Sequence, residues 1–201
     1  MGHPAIKRIR EIVGGGVECG SDVADFLRSY MNINPSPLQI RILHHLSKNN
    51  MSGVAGPRAS GITTAVLGHL LYNFVDKNHQ TIVLMANNMQ SAKHNLTIFR
   101  DMMLSINHQY IDINTNIKCT KWGLKLINGS RVMATNTVRS FEGAHITHLF
   151  VDDFYKYNYR DGSELLDCIY PVMARNNGQI ILGSTGGTVP VSSNIFPTLQ
   201  V

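Results

Sequence analysis

Residues 56–64, Gly56-Pro57-Arg58-Ala59-Ser60-Gly61-Ile62-Thr63-Thr64, constrain this chain more than any other stretch. They lie between a short apolar run (51–55) and a segment apolar at Val66, Leu67, Leu70, Leu71 and Phe74, the spacing of one helix face. Strand, glycine-bearing loop and helix, in that order, make a cradle for phosphate. The glycines let the backbone wrap an anion, and the helix N-terminus near Gly61 aims its free N–H dipoles at it. The stretch matches G-x-x-x-x-G-K-[ST] except at the lysine, where Ile62 stands. Isoleucine carries no charge toward the β- and γ-phosphates, which leaves Arg58 as the cation of the loop. Thr63 is placed to offer its hydroxyl to Mg²⁺. A glycine turn ahead of an ordinary helix would read the same way, so the remaining segments have to discriminate.

Those segments alternate. Residues 38–46 read as an amphipathic helix with Leu38, Ile42, Leu43 and Leu46 on one face. Residues 81–86 (TIVLMA) are a buried-strand run, and residues 91–106 repeat Ala92, Leu96, Phe99, Met103 and Ile106 at helical intervals. Residues 122–134 change to strand patterning around Asn128-Gly129, which predicts a hairpin with a type I′ turn. Residues 148–152 (HLFVD) and 179–184 (QIILGS) are two further strands. Helices alternating with short apolar strands predict an α/β fold, a mostly parallel sheet with helices on both faces.

Three more features bear on chemistry. His148-Leu149-Phe150-Val151-Asp152-Asp153 is an apolar strand ending in two acids. A carboxylate there, beside a phosphate loop, can hold Mg²⁺ (Asp152), and the next can polarise an attacking water (Asp153). The strand at 179–184 ends in Ser184-Thr185-Gly186, hydroxyls able to register a change at a γ-phosphate. Ahead of the first strand, Gln39 in Pro37-Leu38-Gln39-Ile40-Arg41 carries an amide that can read the donor and acceptor edge of adenine. Each has a plain alternative: an acidic turn, a glycine turn, a surface glutamine.

Composition bounds the class without choosing within it. The 201 residues are 43% hydrophobic and 15% charged, enough for one well-filled core. The formal charge of +5 suits a partner such as nucleic acid, as it suits many small domains with none. Cys19, Cys119 and Cys168 are scattered, and the nine histidines show no metal-ligand spacing, so neither a disulfide framework nor a structural zinc site is expected. No run approaches the roughly 20 apolar residues that cross a bilayer, so no membrane role is expected. Residues 1–34 read as an N-terminal extension with a short helix at 21–30. The main domain is expected over 35–190, followed by a tail, 191–201.

Taken in order, Gln39, the Gly56–Thr64 loop, Asp152-Asp153 and Ser184-Thr185-Gly186 resemble the large-subunit terminases of tailed bacteriophages, over about 37–190. The hairpin at 122–134, followed by Glu142-Gly143-Ala144 before the acidic strand, is similar to the same family's segment. The resemblance implies a P-loop NTPase domain of the RecA-like (ASCE) type that hydrolyses ATP with Mg²⁺ and drives double-stranded DNA into a procapsid. It implies an adenine contact at Gln39 and a phosphate cradle of Gly56, Pro57, Arg58, Ala59, Ser60, Gly61, Ile62, Thr63 and Thr64. It also implies Mg²⁺ at Thr63 and Asp152, catalysis by Asp153 and Arg58, and coupling through Ser184, Thr185 and Gly186. Arg139 is a candidate arginine finger. The implied partners are the portal protein, a small terminase subunit and further copies in a ring on the procapsid, in the host cytoplasm. The family's large subunit continues into a nuclease domain, so no nuclease activity is expected of this chain.

The chain departs from the pattern at Ile62, where the family commonly has lysine, and at Asp153, where it usually has glutamate. Two other readings stay open: a helicase-like nucleic-acid ATPase, and a degenerate P-loop module that assembles without turnover.

Overall fold

All six residues of Thr81–Ala86 are buried, and that apolar strand lies inside an eight-stranded sheet. The computed structural model describes residues 19–106, 117–120, 123–137, 145–157, 159–185 and 198–201. In chain order the helices are α1 (Cys19–Met31), α2 (Pro37–Lys48), α3 (Ile62–Asp76), α4 (Met89–Leu104) and α5 (Tyr159–Arg175). The strands are β1 (Met51–Gly56), β2 (Thr81–Ala86), β3 (Ile117–Thr120) and β4 (Gly123–Leu126). They continue with β5 (Arg131–Thr135), β6 (His148–Asp152), β7 (Gln179–Thr185) and β8 (Thr198–Gln200). A 3₁₀ turn, Phe154–Lys156, follows β6.

The strand order is β3-β4-β5-β2-β6-β7-β1-β8, parallel throughout except where β4 pairs with β3 and β5. Side chains alternate between two cores. Val54, Ile82, Leu84, Phe150 and Ile181 join a cluster with α1–α4 on one face. Ala55, Val83, Met85, Val151 and Leu182 join Leu165, Ile169 and Met173 of α5 on the other. The predicted mostly parallel sheet, covered by helices on both faces, is the architecture found.

Local chemistry explains the boundaries. Ser36 caps α2 by accepting from the Gln39 N–H (3.2 Å), and Gln39 Oε1 accepts the Ser36 N–H in return (2.9 Å). Asn88 caps α4 by accepting from the Ser91 N–H at 2.8 Å. The helix expected within the N-terminal extension is α1, and it shares the main core: Phe26 meets Tyr72 edge-on at 5.5 Å. Gly68 of α3 faces Leu27, where an added Cβ would lie 3.1 Å from both methyls, so the missing side chain sets how closely the helices approach.

The hairpin is present with a different turn. Asn128 has no positive φ, and Gly129 alone does (82°), so the connection is not type I′. Leu126 and Ser130 are the last bonded pair (2.8 Å), and Gly129 donates back to the Leu126 carbonyl at 3.1 Å. That is a three-residue loop closed by a left-handed glycine. Asn128 instead spends its side chain on the end of α3, donating to the Phe74 and Lys77 carbonyls while accepting from Ser130 N–H. Three elements, β3, α5 and β8, have no counterpart in the sequence reading. The alternating pattern of β3 is only four residues long, α5 carries Pro171 in its interior, and β8 is three residues.

Candidate nucleotide site

The carboxyl ends of parallel strands are where an open α/β sheet leaves a crevice. Here register brings three chain segments to that edge. Ala55 and Gly56 of β1 lie beside Ser184 and Thr185 of β7, and Val151, one residue before Asp152, lies beside Leu182. Thus a single strand, β7, separates the glycine loop from the acidic strand end.

The loop after β1 turns through two left-handed residues, Ala59 (φ 64°) and Gly61 (φ 78°). Gly61 is the N-cap of α3 and offers no side chain to it, so the first N–H groups of that helix have no capping acceptor from that position. An opening of this kind, over a 15-residue helix, presents donors to an anion. A side chain at Gly61 is excluded twice: by its φ, and by Gln39, whose Nε2 would lie 2.5 Å from an added Cβ.

The residues singled out by sequence sit as follows. Pro57, Arg58 and Ala59 are exposed, Gly56 and Ser60 half-buried, Thr63 half-buried and Thr64 exposed. Arg58 makes no ion pair among the described residues and extends from the open loop. Ile62 is 2% exposed and joins the helical core, its Cδ1 close over Gly56. Gln39 is bound at both ends of its amide, with Oε1 on Ser36 and Nε2 donating to the Gly61 carbonyl at 3.3 Å. It therefore touches the phosphate loop itself, and any contact with a base must share or replace one of these bonds.

Asp152 is half-buried between helix and sheet. Its Oδ2 accepts from Asn95 Nδ2 of α4 at 2.8 Å, and its Oδ1 from the Asp153 N–H at 3.0 Å. Burial pushes the carboxyl above its ordinary pKa, and the Asp153 charge adds to that; the Asn95 bond pulls the other way. Asp153 has a left-handed backbone (φ 52°), and its carboxylate pairs with Lys156 one turn on. That bond raises the Lys156 pKa. Ser184 is fully buried near the end of β7, and its Oγ has no partner among the described residues; Ser60 is half-buried, but its Oγ is likewise buried and without a described partner. The strand carries Thr185 to the edge beside Gly56. Gly186 and Arg139 lie outside the described residues.

Two residues at this edge were not singled out by sequence. Asn95 had a signal: it is the polar member of the stripe Ala92, Leu96, Phe99, and it is buried there to reach Asp152. Tyr157 had none. Its buried hydroxyl lacks a partner, and burial, then the Asp152 charge, push its pKa up to about 12. Among the described residues no cluster of His, Cys, Asp or Glu could by itself hold a metal. Any cation here would rest on Asp152, a hydroxyl and the phosphates themselves.

An unclosed glycine loop under a helix N-terminus, one strand from a half-buried aspartate, belongs to the P-loop NTPase fold, and this chain has that fold. Solved structures refine the likeness to the ATPase domain of phage large terminases. A mutant form of the Thermus phage P74-26 large terminase ATPase domain superposes with TM-score 0.64 at 12% identity, over 88% of this chain and 85% of that one. The HK97 bacteriophage large terminase gives 0.62 at 15%, over 84% of this chain and 38% of its own. The UvsW helicase of bacteriophage T4 gives 0.55 at 11%, over 90% and 67%. Structures of the large terminase from a thermophilic bacteriophage, in complex with ADP and with ATP-γ-S, are also similar (TM-scores 0.55 and 0.52). No protein-family model matches the chain, and no curated protein is detectably similar to it.

Proposed function

We propose that the chain is the ATP-hydrolysing motor of a viral DNA-packaging machine, moving double-stranded DNA into a procapsid. The observation that carries this is the edge just described. Gly61 opens α3 over β1 without a side-chain cap, Ser60 and Ser184 leave buried hydroxyls unpaired among the described residues, and Asp152 ends β6 with only β7 between it and β1. Buried orphan hydroxyls cost free energy unless something polar meets them, and a nucleotide's phosphates are of the right charge and size.

In this reading the backbone of 56–63 binds the phosphates, and Arg58 folds over the γ-phosphate in place of the lysine that Ile62 displaces. Thr63 and Asp152 hold Mg²⁺, which when bound neutralises charge on the phosphate oxygens. Asp153 orients the water, exchanging its Lys156 partner for it. Ser184 and Thr185 transmit the change along β7, and Gln39 joins the base side of the site to the loop through Gly61. Double-stranded DNA is gripped by its backbone, since a packaging motor accepts every sequence. Portal protein, small terminase subunit and a ring of copies are the partners that go with the activity. Among the described residues no helix is long and apolar enough to cross a membrane.

The buried Ile62 and the Asp153–Lys156 pair favour one second reading, a P-loop module that binds nucleotide without turning it over. DNA-stimulated ATPase measurements on the wild type and Asp153→Asn separate the two. Turnover that falls about 10²–10⁴-fold in the variant supports the motor. Nucleotide binding without wild-type turnover leaves the assembly module.

A further inference from the structure

At the end of the sheet away from β1, three cations stand side by side. Lys118 of β3 pairs in register with Lys125 of β4, and Lys125 with Arg131 of β5. Directly opposed residues on antiparallel strands point to the same face, so the three side chains form one row across three strands. All three are exposed, and none makes an ion pair among the described residues. Like charges directly opposite one another destabilise a sheet, yet no carboxylate interrupts this row. A lysine on an edge strand is ordinary protection against edge-to-edge pairing. That accounts for Lys118 and not for Lys125 or Arg131, whose strands are paired on both sides.

The row opens onto a groove of about 600 Å³. Lys125 and Arg131 line it with Thr120, Met133 and Thr135, and it continues to Asn136 and Thr137 at the carboxyl end of β5. The row itself is on the face opposite the α1–α4 core, since Val132 and Ala134 point to that core and Arg131 and Met133 away from it, while the groove also takes in Met89 of α4. Arg131 is also oriented from the sheet side, donating through Nε to Thr81 Oγ1 at 3.2 Å. With strands about 4.8 Å apart the row spans roughly 10 Å, a length over which one duplex strand presents about three phosphates at ~3.4 Å of axis each.

We propose that Lys118, Lys125 and Arg131 form a contact site for the phosphate backbone of double-stranded DNA. The choice of DNA as occupant rests on the packaging reading; the need for a polyanion rests on the row alone. The row lies at the amino end of β5, where Arg131 pairs with Thr81, and the groove's far end, Asn136 and Thr137, reaches the carboxyl edge on which Asp152 lies. The row reads charge and carries no base discrimination.

The test is the salt dependence of affinity for a short labelled duplex of arbitrary sequence, measured by anisotropy on the full chain. Lys118→Gln/Lys125→Gln/Arg131→Gln is compared with Arg41→Gln/Lys48→Gln/Arg175→Gln, exposed cations of α2 and α5. Each phosphate left without its cation lowers the slope of log K against log salt by about 0.9. The row variant should therefore have a slope shallower by about 3 and bind at least roughly tenfold more weakly. The control should keep its slope and melt as the wild type does, and the row variant, relieved of its like-charge repulsion, should melt no lower. Equal losses in the two variants, or none in either, overturn the proposal. Retained DNA affinity with abolished binding of polyglutamate would give the row to an acidic protein segment instead. DNA-stimulated turnover is read separately: its absence in the wild type defeats the motor reading and leaves the row to be decided by the two slopes.

Discussion

The two ends of the parallel sheet handle buried polar groups in opposite ways. At the amino-terminal edge, Gln179 donates to the Leu46 and Asn49 carbonyls (2.7 and 2.9 Å) and accepts from His69 Nε2 (2.9 Å). Asn73 closes on the His69 carbonyl at 2.9 Å, and His148 contacts Thr147 Oγ1 at 3.0 Å. One nitrogen there, His69 Nδ1, is left bare. At the carboxyl edge Ser60, Ser184 and Tyr157 all keep hydroxyls without partners among the described residues, and Ala59 and Asp153 hold left-handed backbone. The first edge has its partners built in. The second is short of them, as sites that wait for a ligand are; left-handed backbone is common to both, with His79 and Asn177 just ahead of β2 and β7.

On that division, the largest single effect on activity belongs to a residue with no hydrogen bond or ion pair among the described residues. Arg58 is exposed and makes no ion pair among the described residues, so Arg58→Ala should leave the melting temperature unchanged. Its ATPase rate should nevertheless fall about 10³-fold or more, the scale of a catalytic arginine. Steady-state turnover alongside a melting curve checks both halves. A normal rate would mean the loop's cation is not the one that acts, and the contrast between the edges would lose its functional half.

The amino-terminal edge should answer to pH instead. Gln179 presents its two N–H groups to carbonyls, so its Oε1 faces His69, and His69 must carry its proton on Nε2. Burial lowers the His69 pKa from 6.5 to about 4 and that of His148 to about 3, with His69 itself opposing a second charge there. Both groups bind protons more readily in the unfolded chain. Their stabilisation is complete above pH 6.5 and is lost as pH falls toward the folded values. Between pH 7 and pH 5 each should cost about 2 kcal/mol, visible as a falling midpoint in urea titrations. A midpoint flat over that range would mean the pair is solvated after all.

How much of this was readable beforehand follows the same contrast. The strands β1, β2, β6 and β7 are apolar runs with glycine or polar ends, and the helices α2 to α4 keep their spacing, so the parallel half of the sheet was visible. The glycine loop and the acidic strand end were visible for the same reason: they interrupt a pattern. What escaped depends on tertiary context. The Asn128-Gly129 dipeptide predicts a type I′ turn, but Asn128 is drawn to the end of α3 and the loop lengthens by one residue. Ile62 reads as a missing lysine, and only packing shows that its side chain belongs to the core. The ion pair that holds Asp153 is formed by a lysine three residues on, in a turn too short to have a period.

The smallest effect tests a place where the carboxyl edge does have a partner. Asn95 reaches from α4 to Asp152 and is the largest of the contacts that offset the cost of burying that carboxylate, ahead of the Asp153 N–H and the Lys156 charge. Without it, burial and the neighbouring Asp153 act unopposed by the amide, so the Asp152 pKa rises further. If the ionised carboxylate is the working form, Asn95→Ala should shift the acid limb of the ATPase profile to higher pH. The rate on the plateau should change little, since no group that meets the phosphates has been removed. A pH–rate series separates this from a structural defect, which would lower the plateau and leave the limb in place. An unmoved limb would mean that Asn95 only packs α4 against the sheet, leaving Asp152 held by the Asp153 amide alone.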